Sequence, residues 1–255
     1  MNQLSNQRTH RSAGFTLIEI AMVLLILSLV LGGLISAIGQ STENTRRSEA
    51  RALISQVEEA LYGFAQVTGR LPCPASNTSN GLESVSDVDK GLCNLTGHGF
   101  VPAGTLGLRG RINADGLLLD PWMNPLRYSV STLAMPDGNR AFTSAAGMQS
   151  LFAEPGFLGA GSALRVCNAA GCPNAASVLT DPVPAVVISM GPNWAAFTSA
   201  DEVDNAGNVT LGVYRLTNTT TFVSRDYNPD AYDDIITWMS PHVLFSRQVM
   251  AGRLP

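Results

Sequence analysis

Hydrophobic and polar positions divide the chain into a front part that reads as one long helix and a rear part that reads mainly as strands. From Ile20 to Ile38 nothing is charged, and Ser28 and Ser36 are the only polar side chains. Roughly 20 such residues let a helix cross the hydrocarbon core of a bilayer. In lipid, a helix is how a single run of this kind satisfies its own backbone. Arg8 and Arg11 precede the run with no acid among the first fourteen residues. That asymmetry keeps an N-terminus cytoplasmic and sends the remainder across. From residue 39 the pattern turns amphipathic. Gln40 to Glu49 is polar, after which Leu53, Val57, Leu61 and Phe64 recur at helical spacing beside Ile54 and Ala60. Gly69 is a stop signal, and Pro72 and Pro74 prevent resumption. The pattern predicts a helix from Phe15 to Thr68, apolar over 15–38 and amphipathic over 39–68. Its weak point is Gly32-Gly33, since glycine costs about 1 kcal/mol against alanine in a helix.

Beyond residue 69 the periodicity shortens. Arg70 to Pro74 leaves the helix extended, and residues 75–116 read as a turn-rich loop anchored by Phe100, Val101, Leu106 and Leu108. Strands are expected at Arg127–Leu133, Ala163–Asn168, Ala185–Met190, Thr210–Leu216, Thr221–Ser224 and Ile235–Met239. The Gly/Ala-rich stretch 141–161 stays open between short helix and loop. Ser240-Pro241 offers an N-cap followed by proline at the first helical position, and Val243, Leu244, Val249 and Met250 carry a short helix to Gly252. The expected class is α+β: a long N-terminal helix packed on a mostly antiparallel sheet, with 69–255 as one globular domain.

Composition changes this picture only at its edges. The chain has 255 residues, 45% hydrophobic and 14% charged, with a formal net charge of −4. Loss of residues 1–14 would remove Arg8 and Arg11 and take the balance to −6, which disfavours nucleic acid as a partner of the remainder. All four cysteines follow the apolar run, so the predicted orientation places them in an oxidising compartment. Two disulfides are then expected rather than a zinc site, because Cys73 and Cys93 are too far apart for a zinc knuckle with Cys167 and Cys172. Of the three possible pairings, 73–93 with 167–172 closes the shortest loops.

The junction Gly14-Phe15-Thr16-Leu17-Ile18-Glu19 is more specific. An ordinary secretory signal is cut after its apolar region. Here the small residue stands before it, and a carboxylate sits inside its edge, where an ionisable group needs a partner. The hexapeptide resembles the cleavage and methylation site of type IV prepilins and type II secretion pseudopilins. That resemblance implies a leader, 1–14, removed by a prepilin peptidase between Gly14 and Phe15, with methylation of Phe15. It implies that Glu19 pairs with the new terminal amine of a neighbouring subunit during filament assembly. It also implies a pilin-like fold, residues 15–38 as the membrane half of the helix and 39–68 as its domain-facing half.

Two further segments are similar to parts of major pseudopilins. Asp120-Pro121-Trp122-Met123-Asn124-Pro125-Leu126-Arg127-Tyr128 resembles their Asp-Pro-Trp-Gly-Asn-Pro-Tyr-x-Tyr segment, with Met123 in place of the glycine. Ile188-Ser189-Met190-Gly191 and Asp233-Asp234-Ile235-Ile236-Thr237-Trp238 stand where that family holds calcium. Calcium takes several oxygens, and adjacent aspartates with turn carbonyls supply them. The candidate metal residues are therefore Asp233 and Asp234, with carbonyls near Ser189 and Met190, and calcium is the one candidate cofactor. The alternative is a solvated acidic turn.

No catalytic constellation emerges. His10, His98 and His242 are isolated in sequence, and there is no Gly-x-Ser-x-Gly, phosphate-binding loop or His-Glu-x-x-His. The reading is a non-enzymatic subunit, a minor pilin or pseudopilin of a type II secretion or type IV pilus-like filament. It would be anchored once in the bacterial inner membrane with its C-terminal domain in the periplasm or on a surface filament. Its partners would be the prepilin peptidase, other pilin-type subunits and an inner-membrane assembly platform. The rival reading is a pilus-displayed binding module, an adhesin or a DNA-uptake subunit.

Overall fold

A computed structural model describes residues 14–154, 164–194, 197, 199–207 and 220–255, with backbone alone for residues 31–40. The leader's first thirteen residues and the strand expected at Thr210–Leu216 lie outside the described residues. The chain divides into two units after Thr45, inside helix α1 (Leu17–Thr68). In the first unit every described side chain from Gly14 to Val30 is exposed, Leu17 at 88% and Leu29 at 71%. Among the described residues no helix is long and apolar enough to cross a membrane. The side chains of 31–40, on which the expected span depends, are not among them.

The second unit is α+β. The α1 residues from Arg46 onward lie on a four-stranded antiparallel sheet built from β3 (His98–Phe100), β4 (Arg127–Val130), β7 (Ala185–Ser189) and β9 (Ile235–Trp238), in the order β3-β4-β7-β9. The buried stripe of α1 is Ala50, Ile54, Val57, Leu61, Tyr62 and Ala65, which shares a core with Tyr128, Val130, Ala185 and Val187. Leu53 is only partly buried against this core. The face is therefore turned from the predicted one toward Ile54 and Ala65. Burying each large aliphatic side chain here contributes about 1.5–3 kcal/mol.

The other face of the sheet is also covered. Val186, Ile188 and Met190 meet Leu164, Val166, Val183 and Phe222 of a second sheet. That sheet comprises β5 (Leu164–Cys167), β6 (Val178–Val183) and β8 (Thr221–Val223), ordered β6-β5-β8. β5 pairs antiparallel with β6 and parallel with β8. Burial on both faces explains why β7 reads as an unbroken apolar run. β6 is not among the expected strands; it contains Pro182, which an edge strand tolerates since no ladder donor is needed there. The loop at 75–116 carries more structure than expected: β1 (Val85–Asp87), β2 (Leu92–Cys93), β3 and the short helix α2 (Ala103–Leu106). Ambiguous residues 141–161 contribute α3 (Ala145–Ala153), N-capped by Ser144.

The C-terminal helix forms as α5 (Pro241–Met250), although Ser240 makes no side-chain cap bond. It lies along α1. Gln248 Nε2 donates to the Ala65 carbonyl at 2.7 Å, and Arg247 makes a forked pair with Glu59 at 2.7 and 2.9 Å. Arg253 then donates to the Gln66 and Val67 carbonyls, satisfying the open end of α1.

The 120–125 turn is held by one buried carboxylate. Asp120 accepts from Trp122 N (3.0 Å), Asn124 N (2.9 Å) and Ser189 Oγ (2.6 Å), while Asn124 Nδ2 donates to the Gly191 carbonyl at 2.7 Å. Met123 at its tip has φ 70° and is 58% exposed, so the residue occupies a left-handed conformation that costs an L-residue about 1–2 kcal/mol. A glycine loses more chain entropy on folding but carries no such strain. Met123→Gly is expected to stabilise the protein by about 0.5–1 kcal/mol, read as a higher urea midpoint at unchanged slope. A lower midpoint would show that the methionine side chain outweighs the backbone strain.

Candidate functional site

At the N-terminus, Thr16 precedes the first helical residue, and its hydroxyl accepts from Glu19 N at 3.3 Å. The Glu19 carboxylate reaches back to Thr16 N at 3.4 Å. This reciprocal arrangement is a capping box, which satisfies two backbone donors that a helix start leaves open. Glu19 thus has a local role that the sequence reading missed, although Thr-x-x-Glu spells it. A Cβ added at Gly14 would meet no atom within 4 Å.

The second assembly of polar groups is buried. The loop into β9 brings Asp233 and Asp234 against Glu202 of α4 (Ala200–Ala206), with carboxylate oxygens of all three within 4.8 Å of one another. All three side chains are buried, at 7%, 4% and 0% exposure. Ser199 caps α4 by accepting from Glu202 N at 3.2 Å. Glu202 Oε1 accepts from Asn193 Nδ2 (3.0 Å) and Asp233 N (3.2 Å). Asp234 Oδ2 accepts from Asn205 Nδ2 at 2.7 Å, whereas its Oδ1 is buried with no hydrogen-bond partner. Burial pushes the Asp234 carboxyl well above the usual carboxylate range. The charges of Asp233 and Glu202 push it the same way, against the Asn205 hydrogen bond and the Arg127 guanidinium.

Two contacts hold this cluster in place. Arg47 of α1, itself buried, donates to the Asp233 carbonyl at 3.1 Å and lies 3.7 Å from the centre of the Tyr227 ring. Gly191, at φ 62°, lets the Asp233 carboxylate approach, since a Cβ there would fall 2.6 Å from Asp233 Oδ1.

The structure adds a third carboxylate to the expected pair Asp233 and Asp234. The Ser189 hydroxyl is committed to Asp120, its backbone pairs with Ile235, and the Met190 side chain belongs to the second core. The third carboxylate is Glu202, from a helix that sequence reasoning did not find. Ser199-Ala200-Asp201-Glu202 matches a capping-box pattern and would have marked the helix start. The donors present fit a hard cation: three carboxylates, one with an unsatisfied buried oxygen, and the Asn193 side-chain oxygen, also without a hydrogen-bond partner.

Both disulfides are present. Cys73–Cys93 and Cys167–Cys172 have Cα separations of 5.5 and 5.6 Å, and no cysteine is free. His98 is buried with Nδ1 2.8 Å from the Ser129 hydroxyl, and burial lowers its pKa to about 4. It is a neutral member of the β3–β4 pair.

Residues 9–35 match the family described as the prokaryotic N-terminal methylation motif. The chain thus carries the prepilin-type signal of type IV pilins and pseudopilins, which implies processing by a prepilin peptidase and assembly with other pilin-type subunits. No curated protein and no solved structure matches the chain.

Proposed function

We propose that this chain is a structural subunit, a minor pilin or pseudopilin, of a type II secretion or type IV pilus-like filament. It is cut after Gly14, methylated on Phe15, and held once in the bacterial inner membrane by residues 15–38 until it is drawn into the filament. The observation that carries this reading is the methylation motif at 9–35 coinciding with a row of exposed apolar side chains from Phe15 to Val30. Exposed apolar surface of this extent needs lipid or another subunit to cover it. Intact-mass analysis of the chain recovered from membranes should give a mature N-terminus at methylated Phe15. An unmodified chain beginning at Met1 in cells with an active prepilin peptidase would overturn the reading.

We further propose that Glu202, Asp233 and Asp234 hold a calcium ion that ties the 226–234 loop to α4. Bringing three carboxylates together out of water is unfavourable unless a cation or protons neutralise them. Chelator-treated full-length protein in detergent should melt at a higher temperature as calcium is added. The stabilisation should reach about 2.7 kcal/mol at a hundredfold excess over Kd. Magnesium should do less, because it holds its waters more tightly. Asp234→Asn should remove the calcium shift. Melting that ignores calcium in the unmutated protein would leave the cluster to protons and to Arg127.

A further inference from the structure

The seven residues of α4 connect the carboxylate cluster to the smaller disulfide loop. On one side, Asp201 Oδ1 accepts from Ala170 N at 2.8 Å and Asp204 Oδ2 accepts from Gly171 N at 2.7 Å. Both amides lie between Cys167 and Cys172, five residues apart. The left-handed Gly171 (φ 67°) and Cys172 (φ 45°) complete the tight turn that presents those amides. Successive N–H groups turned outward in this way form a nest suited to anions. Arg225 pairs with the second oxygen of Asp201. The same helix carries Glu202 into the carboxylate cluster. Asn205 holds Asp234 while also bonding Val223 through both its backbone N–H (2.7 Å) and its carbonyl (3.0 Å).

A helix of two turns does not hold its shape or position alone. α4 is placed by these bonds, and three of its seven residues are acidic. Without the loop amides, Asp201 and Asp204 would lose donors while remaining beside Glu202. Mutual repulsion would then favour fraying of the helix and withdrawal of Glu202 from the cluster.

We propose that the Cys167–Cys172 disulfide gates the cation site, so that the site gains its affinity only once the loop has been oxidised. The inference rests on the calcium reading above and adds its control. Closing the loop converts two thiols into one disulfide, and the two protons and two electrons pass to a disulfide-bearing exchange partner, which leaves as a dithiol. A dithiol reductant runs the same exchange backwards. The subunit would then bind calcium only after its domain had reached an oxidising compartment.

The test compares full-length protein in detergent with the Cys167→Ser/Cys172→Ser double variant, in which Cys73–Cys93 is kept. Calcium affinity is read by titration calorimetry and α4 amide protection by hydrogen exchange. The expected result is about a tenfold or greater loss of calcium affinity, the size typical when groups that orient a metal ligand are removed, together with faster exchange across Ala200–Ala206. Equal affinity in both proteins overturns the gate and leaves the calcium site standing. An unmutated protein that binds no calcium overturns both. If the serine variant fails to fold, Asp201→Ala/Asp204→Ala, with the disulfide intact, carries the test. Unchanged affinity there also overturns the proposal, because it severs the same link between loop and helix.

Discussion

Replacing Gly14 by leucine is expected to leave full-length precursor in the membrane, with processing reduced to background. A peptidase that cuts between Gly14 and Phe15 must bring its groups up to the backbone, and glycine alone offers no Cβ in the way. The folded chain itself gives no reason for a defect, since a Cβ at Gly14 meets nothing within 4 Å. Folding and processing are thereby separable in one variant. The ectodomain should keep its disulfides and its melting temperature while the N-terminus stays unprocessed, read by immunoblot mobility and intact mass. Mature-sized Gly14→Leu protein would refute the assigned cleavage site.

Filament incorporation should be lost in Glu19→Gln as completely as in Glu19→Ala, with cleavage and membrane retention unchanged in both. The capping box makes this pair of variants informative. Glutamine serves at the third helical position of such a box as well as glutamate does, so Glu19→Gln keeps the helix start and removes only the charge. Alanine removes both, adding a cost of about 1 kcal/mol at the cap. If pairing with a neighbour's terminal amine is what assembly needs, the neutral glutamine fails, because a buried amine left without its counter-charge is strongly unfavourable. Crosslinking of each variant to adjacent subunits measures this directly. Wild-type crosslinking by Glu19→Gln would show that the local cap is the whole role of Glu19.

Much of this was legible along the chain. The N-terminal signal is a contiguous run whose meaning lies in order and spacing, so it can be read without a fold. Helix α1, the two-sided strand β7 and the helix α5 were legible for a related reason: periodicity and end signals are local properties. Where local signals were weak, the reading failed. No strand was expected at Val178–Val183, where β6 takes an edge place in the β6-β5-β8 order. Leu53 and Ile54 both fit a helical stripe, and the sheet beneath selected Ile54.

The cation candidate shows the division most clearly. Asp233 and Asp234 stand out in sequence as an acidic pair, but Glu202 lies thirty-one positions before the first of them, in a stretch read as nothing in particular. Arg47, which holds the Asp233 carbonyl, lies 186 positions away. No local pattern encodes such juxtapositions; they exist because contacts between residues distant in sequence bring α1, α4 and the β9 loop together. By itself the sequence determined the prepilin-type signal, the long helix and the positions of the cysteines. Tertiary structure alone decided which carboxylate joins Asp233 and Asp234, and that α4 links them to the Cys167–Cys172 loop. Burial of distant side chains is a property of the packed chain and not of any window along it.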